Sequence, residues 1–525
     1  MKESSDGAIR IYRLEKALES DVVTVNASLI CEIKDAKQAI STIQYSPDGT
    51  LLAVGCRDNC IYMYSVPNQY KRKFKFSKHN AGITQLDFTA DSKYIQSNCR
   101  YGFLSPRLYF FYSYISIFLF HSAYEILFVD ALTGAQVTDG ATRLLDASWH
   151  SWTCTLGWSV MGIWSGTMDG TDVNGVDRSP SHRYLASADD FGKVNLFNYP
   201  CLNPKGSPHN AYTGHSSHVT SVRWTSVYPA GRKGAFVLPR TDDYLISVGG
   251  EDKCVFQWRH SDPSGKERPS SSDETSSYSV PETMEEGMIE APSGGDEFMA
   301  VKPWLGAIVA PSAWASKDPQ KAPPFFAALG EYANQLRSFQ DEVGSIAKED
   351  ALKERYQDLQ QVADNVLQRM HDSGVVDPSQ PTDELELDWV HGYRGFDTRN
   401  NIFYVNTPNN GRLVVYHAAA LGIVLNPQTK EQKYFRGHKD DILAMTIFDS
   451  KDQVLVATGQ QALANVYVWE VPSMQTLAVL PTKQKTVQHL AFSTDGRLLI
   501  SASEDLQIVV SDWKTQSIVA SVKSD

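Results

Sequence analysis

The 525-residue chain lacks the signatures of most chemistries. It contains no GxxxxGK[ST], no HExxH and no GxSxG, so the phosphate loop, the zinc-protease helix and the hydrolase elbow are all missing. Its seven cysteines, at 31, 56, 60, 99, 154, 201 and 254, form no pair of CxxC motifs, and Cys56 and Cys60 have no His or Cys at zinc-finger spacing. That scatter predicts buried, reduced thiols, with no metal site and no cofactor. Positive charge is in deficit: 49 Lys and Arg against 61 Asp and Glu leave a net charge of −12. A general nucleic-acid binder is thereby excluded. The opening MKESSDGAIR has no apolar core, which argues against a secretory signal and makes the sequon at Asn26 to Ser28 a chance match. The acidic stretch DGTDVNG (169–175) fails as a calcium loop, because Gly170 and Ser181 fall where carboxylates are needed. The charge-free run LYFFYSYISIFLF (108–120) is thirteen residues, short of the roughly 20 that span a bilayer as a helix.

What the chain does have is aromatic residues, glycine and a repeat. Twenty-four Tyr, eleven Trp and 34 Gly point to a β-rich fold with many turns. SPDGTLLAVG (46–55), TADSKYIQSN (89–98), SPSHRYLASA (179–188), RTDDYLISVG (240–249), DSKDQVLVAT (449–458) and STDGRLLISA (493–502) share a polar turn, an aliphatic or aromatic run and small residues. Leu52 to Ile95 and Leu455 to Leu499 are steps of 43 and 44 residues, the size of a four-stranded propeller blade. A strand follows each of four runs, as in CIYMYSV and NVYVWEV, and another precedes it, as in HVTSVRWT. Blades are therefore expected at 37–65, 80–132, 171–200, 215–260, 440–470 and 485–515.

These segments resemble WD repeats, with Gly214-His215 and Gly437-His438 as blade-opening pairs. The resemblance implies that His215, Asp252 and Trp258 hydrogen-bond within one blade. Val248 stands where a Ser or Thr is expected, so the network is predicted to be incomplete. Its role is structural rather than catalytic. In the blade at 80–132, the strand after SNC should start within a few residues, yet AYEILFVD begins only at Ala123. Residues 101–122 therefore read as an aberrant insert of retained-intron origin, with a hairpin extension as the alternative. Residues 261–323 are rich in Ser, Pro and Glu and read as a disordered linker. From 324 to 372 apolar residues recur at three and four, through Phe325, Leu329, Tyr332 and Leu336, which predicts an amphipathic helical segment.

The most specific stretch runs from Trp389 to Ile442. It carries Gly392-Tyr393-Arg394-Gly395, Asp397, Arg399, Asn401, Val415-Tyr416, Ala418 to Ala420 and Asn426, with Gly437-His438 behind. It closely resembles the hydrophobic (HELP) motif of the echinoderm microtubule-associated protein-like family. A second signature, residues 141–179 with 189–201, looks like late blades of that family's second propeller. The late-blade signature precedes the motif here, which implies a junction within a multi-unit member.

The expected organisation follows. Residues 1–260 hold late blades of one unit, 385–440 the hydrophobic motif and 441–525 the blades that open the next propeller. The fold class is mainly β, with two separate partial propellers favoured over one composite ring and a helical and linker insertion between them. The resemblance implies packing between domains for Gly392, Tyr393, Arg394, Gly395 and Asp397. It also implies a non-enzymatic binder of tubulin or microtubules, located in the cytoplasm at the cytoskeleton, spindle or cilium. No nucleic acid or membrane partner is expected. The alternative is a general propeller scaffold that meets other proteins through its faces, without tubulin. Lys71, Arg72, Lys73, Lys75 and Lys78 form the one dense basic patch and are the candidate tubulin contact.

Overall fold

The computed structural model describes residues 5–19, 22–100, 125–144, 147–164, 168, 172–203, 206–226, 240–261, 380–407, 411–450, 453–462, 465–481 and 485–523. The insert at 101–122, the linker from 262 and the helical segment 324–372 lie outside the described residues. Strands β1 (Ile9–Glu19) and β2 (Val22–Ile33) form an antiparallel hairpin that the repeat pattern does not announce. Sheet A follows with β3 (Ile40–Tyr45), β4 (Leu51–Cys56), β5 (Ile61–Ser65) and β6 (Lys71–Phe76). Among the described residues sheet B has three strands, β7 (Gly82–Phe88), β8 (Tyr94–Arg100) and β9 (Glu125–Asp130), where four were expected. An irregular segment comes next, with helix α1 (Gly140–Arg143) and a 3-10 turn at Trp158–Ile163.

Sheet C is β10 (Val173–Arg178), β11 (Tyr184–Asp189), β12 (Val194–Asn198) and β13 (His209–Tyr212). Sheet D joins β14 (Val219–Ser226), β15 (Arg240–Gly249) and β16 (Val255–Ser261) to β17 (Glu384–His391), which comes from beyond the linker. Sheet E is β18 (Ile402–Thr407), β19 (Gly411–Ala418), β20 (Leu421–Asn426) and β21 (Glu431–Phe435). Sheet F has β22 (Ile442–Asp449), β23 (Val454–Gln460), β24 (Asn465–Val471) and β25 (Thr476–Pro481). Sheet G closes with β26 (Val487–Phe492), β27 (Leu498–Ser503), β28 (Gln507–Asp512) and β29 (Ser517–Lys523).

Every pairing within these sheets is antiparallel, the pattern of WD-repeat propeller blades. The outer strands extend past the ends expected for most blades, to Tyr212, Pro481 and Lys523.

Burial explains the order. Side chains alternate across a strand, so a strand buried on both faces must be apolar throughout. In β4, Leu51 and Ala53 pack towards sheet B with Ile83 and Leu86. Leu52 and Val54 pack the other way, onto Ile9 and Ile11 of the hairpin. Sheets C, D and E share one core that contains Leu196, Trp224, Phe256, Leu387 and Ile423. Sheets E and F share a second around Phe435 and Trp469, and F and G a third around Val468 and Leu499. The favoured picture of two separate partial propellers is therefore corrected. The blades on either side of the linker stack directly, because β17 supplies the outer strand of sheet D and its register to β16 is continuous apart from one bulge.

Candidate functional site

Three features repay a residue-level description: the blade network, the junction motif and the basic edge.

In sheet D, His215 Nδ1 lies 2.7 Å from Asp252 Oδ2 and its Nε2 lies 2.9 Å from Ser247 Oγ. Trp258 Nε1 donates to the same Ser247 hydroxyl at 2.9 Å, and the His215 ring stacks on Phe256. The network is complete, which corrects the expectation built on Val248. The hydroxyl is one position earlier, and alternation along β15 puts Ser247 on the face that Val248 leaves. A Cβ at Gly249 would fall 1.8 Å from Asp252 Oδ1, so this turn requires glycine. Sheet F repeats the scheme with one change. His438 Nε2 meets Thr458 Oγ1 at 2.7 Å, Trp469 Nε1 donates to that hydroxyl at 3.2 Å, and Gln460 Oε1 replaces the aspartate at 3.0 Å from Nδ1. Burial pushes His438 down to about 4, which keeps the ring neutral near pH 7.

The motif residues sit where β17 leaves sheet D and enters sheet E. A Cβ on Gly392 would come 2.8 Å from Cys254 Sγ, so glycine lets the chain pass close to sheet D. Arg394 is 6% exposed. Its Nε and Nη2 donate to Asp397 at 2.9 and 2.7 Å, and its Nη1 stands 2.5 Å from Asp441 Oδ2. Asp441 also accepts from Ser216 Oγ, beside His215. One guanidinium thus ties the motif to the loops opening sheets D and F. Burial lowers the Arg394 pKa, but the hydrogen bonds from Asp397 and Asp441 outweigh it and raise the value. Thr398 and Asn401 lock the turn: Thr398 Oγ1 donates to Arg394 O at 2.7 Å and Asn401 Nδ2 to Thr398 Oγ1 at 2.5 Å. Tyr393 is 49% exposed; its hydroxyl donates to Asn401 Oδ1 at 2.6 Å and its ring lies near that of Tyr416. Beside it, Gly395 has no room for a side chain, since a Cβ would lie 2.7 Å from the Tyr393 ring. The sequence gives no hint of Asp441 or Ser216, which come from other repeats.

The five cations lie on and just after β6, the outer strand of sheet A, and all are exposed. They are not equivalent. Arg72 Nη1 pairs with Asp35 at 3.2 Å, and Lys75 Nζ sits 5.1 Å from the centre of the Tyr62 ring. Tyr62 in turn donates to Asp58 at 2.6 Å. Burial pushes the Asp58 carboxyl up, but Tyr62, the Lys37 amide and the charge of Lys75 hold it below the usual carboxylate range. Among the described residues, Lys71, Lys73 and Lys78 have no ion pair. The bulge opposite Met63 and Tyr64 takes Lys73 out of the alternation. No helix of the described residues is long and apolar enough to cross a membrane.

Comparison with known proteins gives matches over parts of the chain. The profile for the echinoderm microtubule-associated protein second beta-propeller matches residues 115–260, and the HELP motif profile matches 380–423. Over these residues the chain is similar to the echinoderm microtubule-associated protein-like family, as a WD-repeat protein with a HELP motif. A WD domain, G-beta repeat profile also matches 474–512, and one for the anaphase-promoting complex subunit 4 WD40 domain matches 3–91. Echinoderm microtubule-associated protein-like 3 of Mus musculus is 35% identical over 256 residues, covering 48% of this chain and 24% of its own. Protein-like 4 of Xenopus laevis is 38% identical over 228 residues, covering 43% and 21%. Protein-like 1 of Mus musculus is 37% identical over 242 residues, covering 46% and 24%. The chain thus matches less than a quarter of the length of each of these relatives. The second-propeller match precedes the HELP match in the chain, and the structure joins the two through sheet D.

Proposed function

We propose that this chain is a non-enzymatic scaffold that binds tubulin or microtubules at the cytoskeleton, as part of a multi-unit family member. The observation that carries the reading is the exposed edge strand β6, where Lys71, Lys73 and Lys78 lack carboxylate partners among the described residues. The relatives' printed names supply the class of partner. Tubulin is acidic and the chain carries −12, so the contact must be local. Surface charges act mainly within a Debye length, about 8 Å at physiological salt, and distant acidic residues do not cancel a patch. Arg72 and Lys75 contribute less, since Asp35 and Asp58 already screen them.

Co-pelleting with microtubules across a salt series tests the proposal. Changing Lys71, Lys73 and Lys78 together to Glu is expected to weaken binding and flatten its salt dependence, with the melting temperature unchanged. Equal pelleting of variant and parent at every salt would refute the assignment and move the contact to the blade faces.

A further inference from the structure

The blade network of sheet B departs from those of sheets D and F. His79 opens this blade, and its side chain is fully buried. Its Nε2 lies 2.7 Å from Ser97 Oγ. Ser97 Oγ also lies 3.3 Å from Leu127 O. His79 Nδ1 is buried and has no hydrogen-bond partner. Facing it at 3.6 Å is Glu125 Oε2. The Cys99 thiol donates to the same oxygen at 3.4 Å, and the Asn80 amide does so at 3.1 Å. No Trp closes this network, because Val129 pairs with Ile95 where Trp258 pairs with Leu245 in sheet D. In sheet D the corresponding Nδ1 has an aspartate at hydrogen-bond distance, 2.7 Å away, and nothing is left over.

A buried ring nitrogen left without a hydrogen-bond partner, beside a thiol and a carboxylate, is a set of donors that a cation can satisfy together. The ring nitrogen of His79, Cys99 Sγ and a carboxylate oxygen of Glu125 all lie within 4.8 Å of one another. We propose that His79, Cys99 and Glu125 form a binding site for a borderline-soft divalent cation of the zinc class. Imidazole, thiolate and carboxylate are the donor types such ions take, and three protein ligands leave the fourth tetrahedral position to water. On binding, the Cys99 thiol loses its proton to solvent and a metal–sulfur bond forms, while the neutral His79 ring binds through Nδ1 with its proton on Nε2, donated to Ser97. Cys99 and Glu125 flank residues 101–124 in the sequence, so the ion would clip together the two ends of that segment and favour the folded blade. The spacing hides this site, for the ligands come from one loop and two separate strands.

Titrating the full chain, after chelator treatment, with cobalt(II) tests it. The expected result is a thiolate-to-cobalt charge-transfer band that saturates at one equivalent and is displaced by zinc(II). Cys99→Ser should abolish the band. Glu125→Gln, which keeps shape and loses charge, should weaken binding at least tenfold, and Cys254→Ser should leave it intact. No band at one equivalent in the parent overturns the proposal, whatever the variants do. So does a band that survives Cys99→Ser.

Discussion

Sheets D and G have the same four antiparallel strands but not the same surroundings. In sheet D both faces are covered: Trp224, Leu245, Phe256, Trp258 and Leu387 all lie in the core shared with sheets C and E. In sheet G one face packs on sheet F through Leu499 and Trp513. The other presents Ile500, Ile508 and Val522 at 41, 48 and 65% exposure, although Ile508 and Val522 are direct cross-strand partners. Sheet A shows the difference is not one of terminal position, since the hairpin β1–β2 covers its outer face with Ile9 and Ile11. Stability in a blade array resides in the interfaces between neighbours as much as in the blade itself.

The largest test sets a residue of one sheet against a residue of the other. Trp258→Ala removes a fully buried ring and the donor to Ser247, and is expected to cost about 3–5 kcal/mol in urea unfolding. Ile500→Ala on sheet G should cost much less, because nearly half of that side chain is already in water. Equal losses would show that the open face of sheet G is covered in solution.

Arg394 comes next. Arg394→Ala strips Asp441 of its buried partner and unties the loops opening sheets D and F, with an expected loss of about 3 kcal/mol. Tyr393→Phe loses only a hydroxyl contact with Asn401, about 1 kcal/mol. A Tyr393 effect as large as that of Arg394 would contradict the assignment of the junction to the guanidinium.

The third test compares His438 with His215. His438 has Gln460 where His215 has Asp252, and its folded pKa is pushed down to about 4. Its unfolded value is near 6.5. The unfolded chain therefore takes up the proton first as pH falls, and this contribution to stability is complete above 6.5 and lost towards 4. The limiting slope for one such group is about 1.4 kcal/mol per pH unit. Gln460→Glu supplies a carboxylate, raises the His438 pKa and should flatten the acid limb. An unchanged limb, measured beside the His438 ring resonance, would assign the acid sensitivity elsewhere.

Much of this was legible in the residues, and the failures have physical causes. The repeat located the blades, and His215, Asp252 and Trp258 were placed in one blade from the motif alone. Ser247 lies one position before Val248, and motif spacing alone does not say which face of β15 each side chain takes. Strand β17 could not be assigned to sheet D from pattern, since Arg259 and its partner Asp388 are 129 residues apart. The hydrophobic motif is expected to pack between two propellers that cover it. It is instead blade material, with β17 completing one sheet and β18–β20 starting the next. The basic patch was visible, but its division by Asp35 and Asp58 depends on which neighbours the fold brings to β6.

The smallest effect concerns the open face of sheet G. Ile508 lies between Ala502 on β27 and Val522 on β29, all on one face. If that face is in water in the isolated chain, Ile508→Thr removes little buried apolar area and keeps a β-branched side chain suited to a strand. The expected change in unfolding free energy is within about 0.5 kcal/mol, the range of ordinary surface positions. Solubility should rise, because a contiguous apolar patch is broken. The equivalent change at Leu245, which is fully buried in sheet D, should cost several-fold more. A loss above about 1 kcal/mol at Ile508 that grows with protein concentration would mean that the face is held by a second copy. A loss of that size independent of concentration would mean that another part of the same chain covers it.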